Sequence, residues 1–366
     1  VLLVGLDGTD IYTVRERKEK VANHTEWVRH LVRESFRNST RVRLLKVLGD
    51  ERSDDDADYI HGVWAGGGHV AIQIQSYAGP GPATTRIERI SRDGASKQVI
   101  ATSATPEGVN GEYEYENGKA VRSDCGRRVD ALSMNGQGAV VIAEIAAERA
   151  SKVCGGKANV DHWRVYELSL SGLSREIFTM DRLLSGDSNT GNGSKDVQYP
   201  GAVEAVGDRA IYQTSIIAPA YIRDLATGVQ SGPYTTGLAG RVHQTWDPSL
   251  STGGAIALTA PPSGSKKRGG ELVRSGVLRA PLGGSRFKLV SNAWRVRFCG
   301  ARPIAEMMDG RVFELDPVSI KKKRYVTTFP NEAFTWEVLP GCNDNYFYAT
   351  GSGNRGPIVR AYPLGR

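Results

Sequence analysis

Four consecutive runs decide the fold: YIHGVWAGGG (59–68), HVAIQIQSYAG (69–79), TTRIERISRDG (84–94) and KQVIATSA (97–104). The second run alternates strictly, with Val70, Ile72 and Ile74 separated by single residues. The third carries Ile87 and Ile90 ahead of an Asp93-Gly94 turn. A period of two, bounded by Gly and Asp turns, is the pattern of strands joined as hairpins.

Outward from this stretch the same set recurs about every 40 to 55 residues, the period of a propeller blade of four strands. RRVDALSMNGQG (127–138), AVVIAEIAAE (139–148), HWRVYELSLSG (162–172) and LSREIFTM (173–180) make one unit. GAVEAVGD (201–208), RAIYQTSIIA (209–218) and YIRDLATG (221–228) lead another with a weak outer strand. RVHQTWDPS (241–249), GAIALTAPP (254–262), SGVLRAPLGG (275–284) and SRFKLVS (285–291) follow. WRVRFCGA (294–301), RPIAEMMDG (302–310), RVFELDPVS (311–319) and KKRYVTTF (322–329) come next. The last unit, WEVLPGCND (336–344), NYFYATGSG (345–353) and PIVRAYPLG (357–365), has no obvious fourth strand.

The N-terminal region is less regular. VLLVGLDGTDIYTV (1–14) reads as a strand pair around Asp7-Gly8, and RVRLLKVL (41–48) as a strand. Between them, HTEWVRHLVRESF (24–36) sets Trp27, Leu31 and Val32 at helical spacing, with Thr25 as an N-cap. The expected fold is therefore all-β, a single β-propeller domain over 1–366. Seven four-stranded blades fall at 1–52, 56–105, 123–180, 196–236, 240–292, 293–330 and 332–366. Six is the alternative count, reached if a strand within Val1–Leu6 completes the final unit and the first region lacks one. Insertions at 105–123, 181–196 and 261–270 read as long loops on the propeller faces, where binding function concentrates.

Composition agrees with a turn-rich folded chain. There are 43 glycines in 366 residues, well above the usual ~7%, and they are spread along the chain as many tight turns demand. The net charge of +7 comes largely from short clusters: Arg15, Arg17, Lys18 and Lys20; Lys266, Lys267 and Arg268; Lys321, Lys322, Lys323 and Arg324. No RNA-recognition, zinc-finger or helix-turn-helix signature accompanies them, which argues against nucleic acid. Attraction to an anionic glycan or cell surface explains the balance equally well. No apolar run is long enough to span a bilayer as a helix. The chain starts at Val1 rather than Met, which reads as a mature or trimmed product.

The four cysteines, Cys125, Cys154, Cys299 and Cys342, form no CxxC and have no His at metal-ligand spacing. Their even number suits two disulfides in an oxidising compartment, with free buried thiols as the alternative. Cys299 and Cys342 follow Trp294 and Trp336 at nearly the same offset, which suits one disulfide stapling adjacent blades.

The third strands of five units share an apolar-polar alternation closing on SRDG, SLSG, LATG, PLGG or LDP. On these residues the region 50–366 resembles the TolB-like and WD-repeat-like β-propellers of exported bacterial proteins. That resemblance implies a propeller fold and export from the cell. The chain departs from the WD pattern: its one Trp-Asp pair, Trp246-Asp247, sits in an inner strand, and Gly68-His69 is an isolated Gly-His. SRDGASKQ (91–98) lacks the closing Trp of a sialidase Asp box.

Candidate site residues follow from the first strands, which line the central channel of a propeller. His61, Arg128, Asp130, Glu204, His243, Arg297 and Glu337 give those strands a mixed-charge character. They read either as a pocket for a polar ligand or peptide, or as groups that satisfy one another around a watery channel. Asp54, Asp56 and Asp58 before one blade, and Asp187 and Asn189 in the 181–196 insertion, offer hard oxygen ligands. Calcium is the cofactor they would suit, although EF-hand spacing is not met and solvated turns are the plainer reading. Ser263-Gly-Ser-Lys266 matches S-x-x-K only within a loop, no G-x-S-x-G occurs, and no catalytic residue is assigned. The expected function is an exported, non-catalytic binding or assembly module with a protein, glycan or self partner and no required cofactor. The alternatives are a polysaccharide-active hydrolase or lyase with carboxylates at the channel mouth, and a propeller domain of a larger extracellular assembly.

Overall fold

The computed structural model describes residues 4–21, 24–35, 41–49, 58–76, 84–104, 113–184, 202–214, 218–235, 246–259, 275–279, 287–291, 293–328, 342–353 and 356–365. The described elements are β-strands. They divide into two compact units, Leu2–Val197 and, apart from Val1, Gln198–Arg366.

In the first unit, β1 (Val4–Asp7), β2 (Asp10–Val21), β3 (His24–Ser35) and β4 (Arg41–Gly49) form one antiparallel sheet in chain order. The second sheet is β5 (Asp58–Gly66), β6 (His69–Ser76), β7 (Thr84–Ser91) and β8 (Lys97–Thr102). A hairpin of β9 (Tyr113–Glu116) and β10 (Lys119–Arg122) stands apart. The third sheet is β11 (Gly126–Met134), β12 (Val140–Glu148), β13 (Val160–Leu168) and β14 (Ser174–Leu183).

The alternation seen in the sequence sorts side chains between neighbouring sheets. Val70, Ile72 and Ile74 of β6 pack with Tyr12 and Leu31 of the first sheet. Ala71 between them joins Ile87 to Val129, Val140 and Ile142 of the third. β6 thus serves two cores, and a one-residue slip would exchange them.

In the second unit, β15 (Val203–Val206), β16 (Arg209–Tyr212), β17 (Ala220–Asp224) and β18 (Gln230–Tyr234) form the fourth sheet. The fifth holds β19 (Trp246–Leu250), β20 (Ile256–Thr259), β21 (Ser275–Arg279) and β22 (Phe287–Ser291). The sixth holds β23 (Ala293–Cys299), β24 (Arg302–Met307), β25 (Arg311–Leu315) and β26 (Lys322–Thr328). β27 (Tyr346–Gly353) and β28 (Gly356–Pro363) make a two-stranded sheet. Here too one strand feeds two cores: Ile256 and Leu258 pack with Ile211 and Ile222, while Ala257 packs with Val296 and Phe298.

These sheets correct the blade count. Seven equal four-stranded blades fail because β27 and β28 pair with each other alone among the described strands, Cys342 adding only a single bridge to Phe347. The six-blade alternative fails as well. It needs the N-terminal strand to complete the last unit, whereas β1 pairs with β2 as the first strand of a full four-stranded sheet.

Two local readings also change. The helical spacing at Trp27, Leu31 and Val32 resolves as strand, since His24–Ser35 pairs residue for residue with Asp10–Val21. Cross-strand ion pairs, Arg15 with Glu34 and Arg29 with Glu16, use the charges that a helix would have scattered. Within the 105–123 insertion, β9 and β10 turn at Asn117 and Gly118, both at positive φ (52° and 75°), the geometry of a tight hairpin.

Candidate functional site

First strands of consecutive sheets lie against one another: β1 with β5 and β5 with β11 in one unit, β15 with β19 and β19 with β23 in the other. These strands carry the polar groups of interest, and alternation sets their direction. On β11, Val129 and Ala131 are buried in the core, which turns Arg128 and Asp130 to the opposite face.

Asp130 is met by the preceding sheet. Gln73 Nε2 donates to Asp130 Oδ1 at 2.9 Å, and Gln73 Oε1 accepts the Ala131 N–H at 3.0 Å. Arg128 is half-exposed, 3.8 Å from Asp124 and 3.7 Å from Asp161. His61 is the extra residue of a bulge between Ile60 and Gly62, and it is exposed. Bulges re-aim side chains in this way.

Behind Arg128 lies a cluster that no sequence motif announces. The Arg149 guanidinium is fully buried. Nη2 donates to Asp161 Oδ1 at 2.7 Å and Asp124 Oδ2 at 2.8 Å, while Nη1 donates to the carbonyls of Glu148 and Val160 at 2.8 and 3.1 Å. Burial works to raise the Asp124 carboxyl, but the hydrogen bonds and charges of Arg149 and Arg122 outweigh it and bring it to about 2. The Cys125–Cys154 disulfide closes the same corner. The cluster ties the approach to β11 to the β12–β13 loop.

In the second unit, Glu204 of β15 reaches the next inner strand. Its Oε2 accepts the Leu250 N–H at 3.2 Å. Desolvation raises its carboxyl above the ordinary range, against the pull of that N–H, the Ser249 hydroxyl and the Arg297 charge. Ser249 Oγ in turn accepts the Phe298 N–H of β23 at 3.0 Å. Arg297 Nε lies 3.3 Å from Glu306. One run of contacts therefore crosses β15, β19 and β23.

Of the remaining candidates, Asp58 accepts from Arg86 Nη2 at 2.9 Å and forms an ion pair. His243, Glu337, Asp54, Asp56, Asp187 and Asn189 lie outside the described residues. Among the described residues no group of three or more His, Cys, Asp or Glu is arranged to hold a metal. All four cysteines are paired, Cys125 with Cys154 and Cys299 with Cys342. The second pair joins the end of β23 to the segment bridging β27, so it staples neighbouring sheets. Two disulfides are compatible with an exported protein. Among the described residues no helix is long and apolar enough to cross a membrane.

Sequence reasoning missed Arg149 and Gln73. Gln73 finds its partners on the next sheet, and Arg149 finds its own across a hairpin and at the approach to β11, so neither carries a motif-length signal in the chain.

No family model matches the chain, and no curated protein does. Solved structures do resemble it. The β-propeller domain of the Trilobed protease from Pyrococcus furiosus, described as having an open velcro topology, aligns over 100% of this chain and 94% of its own at 9% identity, with a TM-score of 0.51. The β-propeller domain of Cps50 (Swd1) from Myceliophteria thermophila covers 100% and 96% at 10% identity, TM-score 0.43. BamB from Moraxella catarrhalis covers 100% and 84% at 12% identity, TM-score 0.38. The first likeness shows the β-propeller fold and nothing of activity. The other two superpose too loosely to carry an argument.

Proposed function

We propose that this protein is an exported, non-catalytic β-propeller that acts as a binding or assembly module for a protein, a glycan or further copies of itself. The observation that carries the reading is the engagement of its inner-strand carboxylates. Asp130 accepts from Gln73, Glu204 accepts the Leu250 N–H, and Arg297 pairs with Glu306. A glycosidase needs two carboxyl groups about 5–10 Å apart, facing a sugar and free to exchange protons. Here Asp130 and Glu204 each accept a hydrogen bond that links neighbouring sheets. The two disulfides support export. Among the described candidates, His61 is exposed and Arg128, beside Asp124 and Asp161, is half-exposed, so these two inner-strand groups can meet a ligand, with loop faces and outer strands adding further surface. The reading requires no cofactor.

The test uses the full chain. Incubation with a panel of polysaccharides is expected to release no new reducing ends or unsaturated products. Sedimentation equilibrium and a glycan array are expected to show self-association or saturable glycan binding. Product release that disappears in Asp130→Asn or Glu204→Gln overturns the reading in favour of a hydrolase or lyase.

A further inference from the structure

We infer that the outer end of the sixth sheet is a docking surface for an anionic polysaccharide, an inference that rests on the binding role proposed above and names its ligand class. Lys321, Lys322 and Lys323 are consecutive and exposed at the start of β26, the outer strand of that sheet. Arg311 on the adjoining β25 is exposed too.

The nearby acids do not neutralise this group. Asp316 accepts the N–H groups of Val318 and Ser319 at 3.1 and 2.7 Å, so its carboxylate caps its own turn. Asp309 pairs with Arg311. Glu314 is 4% exposed and is shared by Arg302, Lys323 and Arg324 at 3.7, 3.5 and 3.1 Å. No described carboxylate lies within ion-pair distance of Lys321 or Lys322. One buried carboxylate facing three cations leaves the strand with an uncompensated positive potential, which raises the local concentration of anions.

An aromatic group stands beside the lysines. Tyr325 is 55% exposed, its ring set edge-on to Phe313 at 5.8 Å and its hydroxyl 2.7 Å from Thr328 Oγ1. The Lys322 ammonium sits 4.3 Å from the Phe313 ring centre, which fixes that cation over the sheet. Lysines on an edge strand also discourage pairing with other sheets. That role does not explain a fixed, exposed aromatic ring among them, because exposed apolar area favours association. Cations flanking a held ring suit a sugar polymer bearing carboxylate or sulfate groups: the ring stacks on a sugar face and the ammonium groups meet the anions. Single-stranded nucleic acid readers present several stacking aromatics along a groove, and among the described residues this edge presents one exposed ring, Tyr325.

Binding of labelled heparin, followed by fluorescence anisotropy across a salt series, tests the inference on the full chain. Wild type is expected to bind with affinity that falls as salt rises. Lys321→Ala/Lys322→Ala/Lys323→Ala is expected to lose at least about tenfold in affinity, with a shallower salt dependence. Tyr325→Ala is expected to lose affinity with its salt slope unchanged. Both variants should melt as wild type does, since the altered side chains are exposed. Arg15→Ala/Lys18→Ala/Lys20→Ala, at the other described basic cluster, should bind heparin as wild type does. A triple lysine variant that binds as tightly as wild type overturns the inference. So does an oligodeoxythymidine of matched charge that displaces heparin from the wild type, which would make the ligand a nucleic acid. Failure of wild type to bind heparin overturns it too, while self-association or neutral-glycan binding by the same sample would leave the broader binding role standing.

Discussion

Gln73 on β6 and Asp130 on β11 belong to neighbouring sheets, and one side-chain amide joins them. It donates to the carboxylate at 2.9 Å and accepts the Ala131 N–H at 3.0 Å. A neutral amide offers both a donor and an acceptor in a fixed plane. Gln73→Leu leaves a carboxylate oxygen and a backbone N–H without their partner in a part-buried place, at a cost of about 1–3 kcal/mol. Gln73→Glu keeps the acceptor but sets a second carboxylate against Asp130. It is expected to cost more than Leu at neutral pH and to recover in mild acid, as the pair takes up a proton. Urea denaturation of both variants at the two pH values checks this, and equal costs throughout would contradict it.

The Arg149 cluster predicts an acid-sensitive corner. Asp124 is held at about 2, below its ordinary 3.8. A carboxyl depressed by folding contributes stability that is present above its unfolded value and lost as pH falls through the folded one. The contribution, about 2 kcal/mol, should therefore fade between about pH 4 and 2. Arg149→Met leaves Asp124 and Asp161 facing each other with little water and is expected to cost about 3–5 kcal/mol at neutral pH. Asp124→Asn should flatten the acid limb of the stability curve. Thermal melts across pH decide it, and an unchanged acid limb in Asp124→Asn would sink the assignment.

The Cys299–Cys342 disulfide closes a loop with a sequence separation of 43. On the chain-entropy account such a loop is worth about 4 kcal/mol. Cys299→Ala/Cys342→Ala should lower stability by that order. Wild type under a strong reductant should fall further, because Cys125–Cys154 opens as well. Denaturant midpoints of the three samples test the ordering.

Gly66 and Asn135 approach so closely that a Cβ on the glycine would lie 2.0 Å from the Asn135 carbonyl oxygen. That oxygen belongs to backbone and also accepts the Gly138 N–H at 3.0 Å, so it has little room to yield. Gly66→Ala is expected to cost about 3 kcal/mol, at the upper end of the usual overpacking range. Gly136→Ala, where a Cβ meets nothing within 4 Å, is the matched control. Equal midpoints for the two variants would refute the contact.

The strands of the second sheet were legible because Val70, Ile72 and Ile74 need one core while Ala71 needs another, and only a period of two delivers both. The link between Cys299 and Cys342 was legible through their shared offset from Trp294 and Trp336. β3 was not, because Trp27, Leu31 and Val32 satisfy helical spacing while Val28, His30 and Val32 satisfy the strand, and pairing to β2 decided between them. The β9–β10 hairpin was less legible: Asn117-Gly118 is a strong turn signal and Tyr113 and Tyr115 alternate with Glu, but each strand is only four residues long within a polar insertion. The Asp58–Arg86 pair joins the first and third strands of the second sheet, and the Arg149 cluster joins the β12–β13 loop to β13 and to the approach to β11, so their partners are fixed only once the strands of each sheet pair. Blade counting failed at the ends of the chain, where rhythm alone cannot say which sheet a strand joins.

Glu204 supplies the opposite pH signature to Asp124. Desolvation raises its carboxyl above the ordinary 4.5, so the folded protein holds this proton more tightly than the unfolded chain does. Stability from this group is therefore fully present below the unfolded value and is lost as pH rises through the raised folded one. Glu204→Gln removes the charge and keeps an oxygen to accept the Leu250 N–H. The variant is expected to match wild type in acid and to exceed it at neutral pH, because it no longer carries a desolvated charge among the inner strands. Midpoints of thermal unfolding for the two proteins across that pH range test the sign. A variant less stable than wild type at neutral pH and equal to it in acid would show that the ionised carboxylate, rather than its acceptor oxygen alone, holds β15 to β19.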